Sequence, residues 1–137
     1  MQPNLQTSGN SKSAIWTGRI LSALAVLFLI FDGVIHLMRI TPVVDSFNQL
    51  GLPLKYAVPI GIAELVCLAL YIIPAWSVFG AILLTGYLGG AIAIQMRIDA
   101  PLFSTMLFPV YVGIMLWGGI FLRNNKLREI IPLDRKR

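Results

Sequence analysis

The chain has 137 residues, 57% hydrophobic and only 12% charged, about half the charge of an ordinary soluble domain. That composition excludes a water-exposed globule. The net charge of +5 does not signal nucleic acid, because the basic residues gather at the two ends and no nucleic-acid-binding motif accompanies them.

Residues 1–13 (MQPNLQTSGNSKS) are polar and aperiodic, and they are expected to form a disordered cytoplasmic segment. Residues 14–123 read as a four-helix transmembrane domain, and 124–137 as a basic cytoplasmic tail. The first apolar run, from Trp16 to Met38, is too long for a cleavable signal and no A-x-A site follows it. The second, from Tyr56 to Ile73, is bounded by Pro53 and Pro74. The third runs from Trp76 to Met96 and the fourth from Leu102 to Leu122. Each approaches the ~20 helical residues that a bilayer core requires. Each must be helical, since lipid offers no partner for bare backbone groups.

Between the first two runs, residues 41–53 (TPVVDSFNQLGLP) carry Val43, Val44, Phe47 and Leu50 at helical spacing. Thr41 is suited to capping, Pro42 to the first helical position and Gly51 to the stop. This predicts a short amphipathic helix in the outer interface or folded back as a lid. The fold class is therefore all-α, an integral membrane four-helix bundle with a short amphipathic helix between helices 1 and 2.

Eight Lys or Arg flank the first and last runs (Lys12, Arg19, Arg123, Lys126, Arg128, Arg135, Lys136 and Arg137), while the outer loops hold only Arg39, Lys55 and Arg97. The positive-inside rule then places both termini in the cytoplasm. Trp16, Trp76 and Trp117 map toward the cytoplasmic ends, as an aromatic belt would. The tail NNKLREIIPLDRKR is a solvated flank or an inner-leaflet contact. Gly86 and Gly90 stand in G-x-x-x-G register and suit close helix packing within the bundle, or between copies in a homo-oligomer. Pro109 is placed to kink the fourth helix.

Asp32, His36 and Glu64 interrupt otherwise apolar runs, and an ionisable group at bilayer depth costs ~2.5–3.5 kcal/mol even on the lenient scale. At ~1.5 Å per residue, Asp32 lies about 10 Å below Arg39 and Glu64 about 13 Å below Lys55. The two carboxyls therefore share a level in the outer half. His36 is one turn from Asp32 on the same face, an i,i+4 pair able to hydrogen-bond. Gln95, Arg97, Ser104, Thr105 and Tyr111 add polarity toward the same half, and Tyr87 falls near mid-membrane. Arg97 reads chiefly as a snorkelling anchor.

Asp32, His36, Glu64, Gln95 and Tyr111 are thus the candidate ligand-binding residues, with no catalytic residue among them. A polar cavity among them should open outward or sideways into the outer leaflet. A single cysteine, Cys67, excludes an internal disulfide and reads as a small apolar group. No metal, haem or nucleotide signature is present: one histidine cannot supply a bis-His haem, and Asp, His and Glu alone make a poor zinc set.

The segments GRILSALAVLFLIFDGVIHL (18–37), TPVVDSFNQLGLP (41–53), IGIAEL (60–65), GAILLTGYLGGAIA (80–93) and PLFSTMLFPVYVGIMLWGG (101–119) together resemble the DoxX-like family of small four-helix membrane proteins. The resemblance implies a bacterial inner-membrane protein from a group in which most members have no assigned activity. Some relatives are membrane subunits of thiosulfate:quinone oxidoreductase, and others associate with oxidative-stress enzymes or assist assembly and transport. The family's acidic position in helix two falls on Glu64. Where many relatives carry histidine near the outer end of helix three, this chain has Gln95.

The leading expectation is a membrane subunit of a redox complex, with a quinone- or lipid-binding pocket in the outer half of the bilayer. Its partners would be membrane lipid and a redox-enzyme subunit, with no nucleic acid. The alternative is a non-catalytic accessory or assembly protein whose buried polar groups are structural. A third reading is a membrane isomerase that uses buried acids on a lipid substrate. Proton pumping is disfavoured, because the ionisable groups stop halfway across.

Overall fold

A computed structural model describes residues 11–131 of the chain. Those residues are helical almost throughout, with no strand among them. The elements are α1 (Lys12–Met38), α2 (Thr41–Gln49), α3 (Ala57–Ile72), α4 (Ser77–Met96), α5 (Phe108–Arg123) and α6 (Asn125–Ile130). Short 3-10 turns lead into α3 (Leu54–Tyr56) and α4 (Pro74–Trp76), and a π-helical turn (Leu102–Met106) leads into α5.

Four helices are long and apolar enough to cross a membrane: Lys12–Met38, Leu54–Ile72, Pro74–Met96 and Leu102–Arg123. These bounds differ from the predicted runs by a few residues only. The largest difference is at the start, where α1 begins at Lys12 because the Ser11 hydroxyl accepts from the Ala14 amide as an N-cap. Lys12 and Ser13 are therefore helical; the remainder of the segment expected to be disordered lies largely outside the described residues, as does the end of the tail. Large apolar side chains point away from the bundle, Leu27, Phe31 and Ile114 among them. On a soluble protein this would be an aggregation hazard, and in lipid it costs nothing. The chain is a multi-pass integral membrane protein.

The helices form a ring in the order α1, α3, α4, α5, so α1 and α4 face each other across the diagonal. The tightest crossings rest on glycine. Gly18 and Gly119 bring α1 against α5: a Cβ on Gly18 would stand 2.8 Å from the Gly119 carbonyl oxygen. Gly33 and Gly61 do the same for α1 and α3, where a Cβ on Gly61 would stand 2.8 Å from the Gly33 carbonyl oxygen. Backbones this close gain dispersion contacts that lipid cannot replace.

Gly86 and Gly90, expected to mediate close packing within the bundle, do not. A Cβ added at either would meet nothing within 4 Å. Their register is compatible with a contact, but their face of α4 turns toward open space.

At the end where α1 starts and α5 finishes, Tyr71 of α3 ties the four membrane helices together. Its hydroxyl donates to the Leu116 carbonyl (2.8 Å), and the Ser22 hydroxyl, 2.8 Å away, donates to it. The Tyr71 carbonyl accepts from Ser77 Oγ (2.7 Å), and the Arg123 guanidinium lies over its ring. On the lipid-facing side, Trp117 Nε1 donates to Thr85 Oγ1 (2.8 Å) and so joins α5 to α4. Beyond α5, Asn124 caps the short α6, whose Leu127 is buried in the core.

At the other end, α2 folds back as a lid. Its buried Val43 and Phe47 pack with Ala57, Ile35, Ile40, Leu52 and Ile60. Pro42 sits in the first turn as predicted, whereas the N-cap is Ile40, and Thr41 makes no capping bond. Gly51 takes a left-handed φ of 63° just after Leu50, the C-cap of α2, a conformation other residues adopt only with strain. Arg97, from the end of α4, donates to the Leu50 carbonyl (2.7 Å) and so holds the lid's carboxyl end. Pro109 stands in the first turn of α5, after the π-helical turn, and therefore opens a helix instead of kinking one.

Candidate functional site

Between the helices at the α2 end lies a cavity of about 610 Å³. Its walls are Phe28 and Leu29 of α1, Phe47 and Leu50 of the lid, Ile60 of α3, and Phe108 and Val112 of α5. Gly86, Gly90 and Ala91 of α4 line the remaining side. At Gly86 and Gly90, α4 presents hydrogen atoms to the cavity, and a Cβ there would meet nothing within 4 Å. The two glycines read from sequence as a packing motif are its open wall.

The polar groups gather at one place in it. Asp32, His36 and Glu64 each contribute a ligating atom, and these atoms all lie within 4.8 Å of one another. The level counted from the loops therefore coincides with an actual meeting of α1 and α3. Glu64 is fully buried, at 0% exposure. One carboxyl oxygen, Oε2, accepts from the Tyr87 hydroxyl at 2.9 Å. The other, Oε1, is buried without a hydrogen-bond partner among the described residues. Such an atom costs ~1–3 kcal/mol if left bare, and the polar groups beside it in the corner are Asp32 and His36.

His36 Nδ1 lies 2.8 Å from the Asp32 backbone carbonyl oxygen and 3.6 Å from its carboxylate. A carbonyl oxygen only accepts, so Nδ1 is the donor in this bond. The expected i,i+4 pairing of His36 with Asp32 is thus made mainly through the backbone. The His36 ring also meets Phe47 edge-on, with centroids 5.9 Å apart, so the lid packs directly on the site.

Four of the five predicted residues line the cavity: Asp32, His36, Glu64 and Gln95. Tyr111 does not. It is 42% exposed, and its hydroxyl donates to the Phe103 carbonyl (3.1 Å). Its depth along α5 matched the cluster, but its neighbours Pro109 and Val112 occupy the inward face, and ~100° of rotation per residue turns Tyr111 outward. Ser104 and Thr105 line the cavity beside Gln95.

Tyr87 is the functional candidate that the sequence reading passed over. Counting from the Pro74 turn gives a usable signal: Glu64 is ten residues before it and Tyr87 thirteen after it, which puts them at similar heights on adjacent antiparallel helices. Cys67, one turn from Glu64, is half-buried and packs against the apolar core.

The arrangement is an apolar chamber with one polar corner. It can accommodate a lipid-soluble molecule and hold its polar end at Asp32, His36, Glu64 and Tyr87. Among the described residues it contains no nucleophile paired with a base. A family model described as the DoxX-like family matches residues 20–119. Comparisons with curated proteins and with solved structures found no match. The matched stretch spans the four membrane helices as far as Gly119 and includes every polar residue of the chamber, and the chain belongs to the DoxX-like family.

Proposed function

We propose that this protein is a binding subunit for a small, lipid-soluble ring compound of the quinone class, serving a redox complex in a bacterial inner membrane. The observation that carries the reading is the 610 Å³ chamber closing on Glu64, whose Oε1 has no partner among the described residues. Chambers of ~300–1,000 Å³ with apolar walls and a few convergent polar groups are the usual form of a small-molecule site. A ring headgroup would take its orientation from His36, Tyr87 and the two carboxyls, with its apolar part along Phe28, Phe108 and Val112. The partner subunit would supply the electrons, since the chain carries no redox-active pair of its own.

The basic residues at the start of α1 and the end of α5 support an orientation with both termini in the cytoplasm. The chamber is then in the outer half of the bilayer, beneath the lid helix α2. The alternative reading, in which the polar groups only hold helices together, has a weaker basis at this end. A structural carboxyl is normally satisfied on both oxygens, as Tyr71 is satisfied at the other end.

Titration with a short-chain benzoquinone analogue tests the proposal through thermal stability in detergent. The wild type is expected to be stabilised in a saturable manner. Gly90→Leu, which fills the chamber from a position with nothing within 4 Å of a Cβ, should fold and lose the response. Glu64→Gln should retain a weakened response. No response in the wild type, or an equal one in Gly90→Leu, would contradict the proposal.

A further inference from the structure

We propose that Asp32, His36 and Glu64 form a binding site for a divalent first-row transition cation at the polar corner of the chamber. The inference concerns the same corner that would orient a quinone headgroup, but it rests on the side-chain cluster and not on the apolar walls.

Geometry is the first support. Two helices bring two carboxyls and an imidazole together, with their ligating atoms all within 4.8 Å of one another. In sequence they are three scattered groups and make a poor ligand set; the crossing at Gly33 and Gly61 assembles them. A second support is independent of that distance. Glu64 is wholly buried and lines the chamber, yet Oε1 has no hydrogen-bond partner among the described residues.

Charge points the same way. Among the described residues, no lysine or arginine lines the chamber to offset the two carboxyl groups. A divalent cation would balance both carboxyl groups at once when they ionise. The surroundings resemble the outer supports of a metal centre. His36 donates its Nδ1 proton to the Asp32 carbonyl (2.8 Å), which fixes the ring. The Tyr87 hydroxyl holds Glu64 Oε2 (2.9 Å). Ligating histidines and carboxylates are regularly oriented by such bonds. An imidazole beside carboxylates favours zinc and its neighbours over magnesium or calcium. Three protein ligands would leave a coordination position for water or for an oxygen of a bound molecule.

The test uses the full chain purified in detergent, stripped with a chelator and titrated with Zn²⁺ by calorimetry. One Zn²⁺ per chain is expected. Asp32→Asn, His36→Gln and Glu64→Gln should each weaken binding about tenfold or more, and Glu129→Gln, exposed on α6, should leave it unchanged. Co²⁺ provides a readout that needs no variant: its visible spectrum should show nitrogen and oxygen donors and no thiolate charge-transfer band. A wild type without saturable binding, or variants that bind as the wild type does, would overturn the proposal. A thiolate band would overturn it too, by placing the cation on Cys67. Loss of the quinone response with the Zn²⁺ response intact would refute the preceding proposal alone, and the reverse result this one alone.

Discussion

The bond between Tyr87 and Glu64 allows a quantitative test of how the polar corner is held. Tyr87→Phe removes the 2.9 Å hydrogen bond to Oε2. Because Oε1 already lacks a partner among the described residues, the variant leaves a fully buried carboxyl with neither oxygen satisfied. Interhelical hydrogen bonds in membranes average ~0.6 kcal/mol and reach ~1.7, because the separated helices find other partners. A buried acceptor left bare costs ~1–3 kcal/mol. Glu64 is at 0% exposure, which puts the expected cost at the top of the membrane range, about 1.5 kcal/mol.

The assay is a double-mutant cycle on chelator-stripped protein, with reversible unfolding in mixed micelles of Tyr87→Phe, Glu64→Leu and the double variant. Once Glu64 is replaced by Leu, the Tyr87 hydroxyl is itself unpartnered. Tyr87→Phe should then be neutral or stabilising, and the coupling should be about 1.5 kcal/mol. A coupling below ~0.5 kcal/mol, within the scatter of independent sites, would refute the reasoning.

Gly90→Ala should change stability by less than about 1 kcal/mol, whereas Gly61→Ala should destabilise by ~1–3 kcal/mol, because its Cβ would press on the Gly33 carbonyl; the same unfolding assay reads both. Tyr71→Phe removes the bond to Leu116 and orphans the Ser22 hydroxyl, and it should cost ~1–2 kcal/mol without altering any ligand response. Arg97→Gln releases the Leu50 carbonyl at the end of α2 and should speed hydrogen exchange in residues 43–50 while leaving α3 protected. A reporter fused to the carboxyl terminus should be active only on the cytoplasmic side, and activity on the other side would reverse the orientation proposed for the chamber.

The spans were legible because the bilayer sets helix length and leaves the backbone no alternative to helix. The lid was legible because Val43 and Phe47 recur at helical spacing between Pro42 and Gly51. The shared level of Asp32 and Glu64 needed only the rise per residue and a short connection. Rotation was not legible. Tyr111 has the right depth and the wrong azimuth, and nothing in an all-apolar helix records which side faces a neighbour. Gly86 and Gly90 show the same ambiguity, since a small-residue stripe is needed equally for a tight contact and for the wall of a chamber. Arg97 is a third case: its length suits snorkelling, and only the fold brings a helix end within its reach.

Photo-crosslinking tests the central claim, a chamber that takes up a lipid-soluble ring compound, most directly. An azido-benzoquinone is added to the protein in native-like bilayers and irradiated, and the labelled residues are mapped by mass spectrometry. Labels should concentrate on chamber residues such as Phe28, Phe47, Ile94 and Phe108, and should be competed away by unlabelled quinone analogue. Labels spread over the lipid-facing side chains, such as Leu27, Phe31 and Ile114, and insensitive to competition would contradict it.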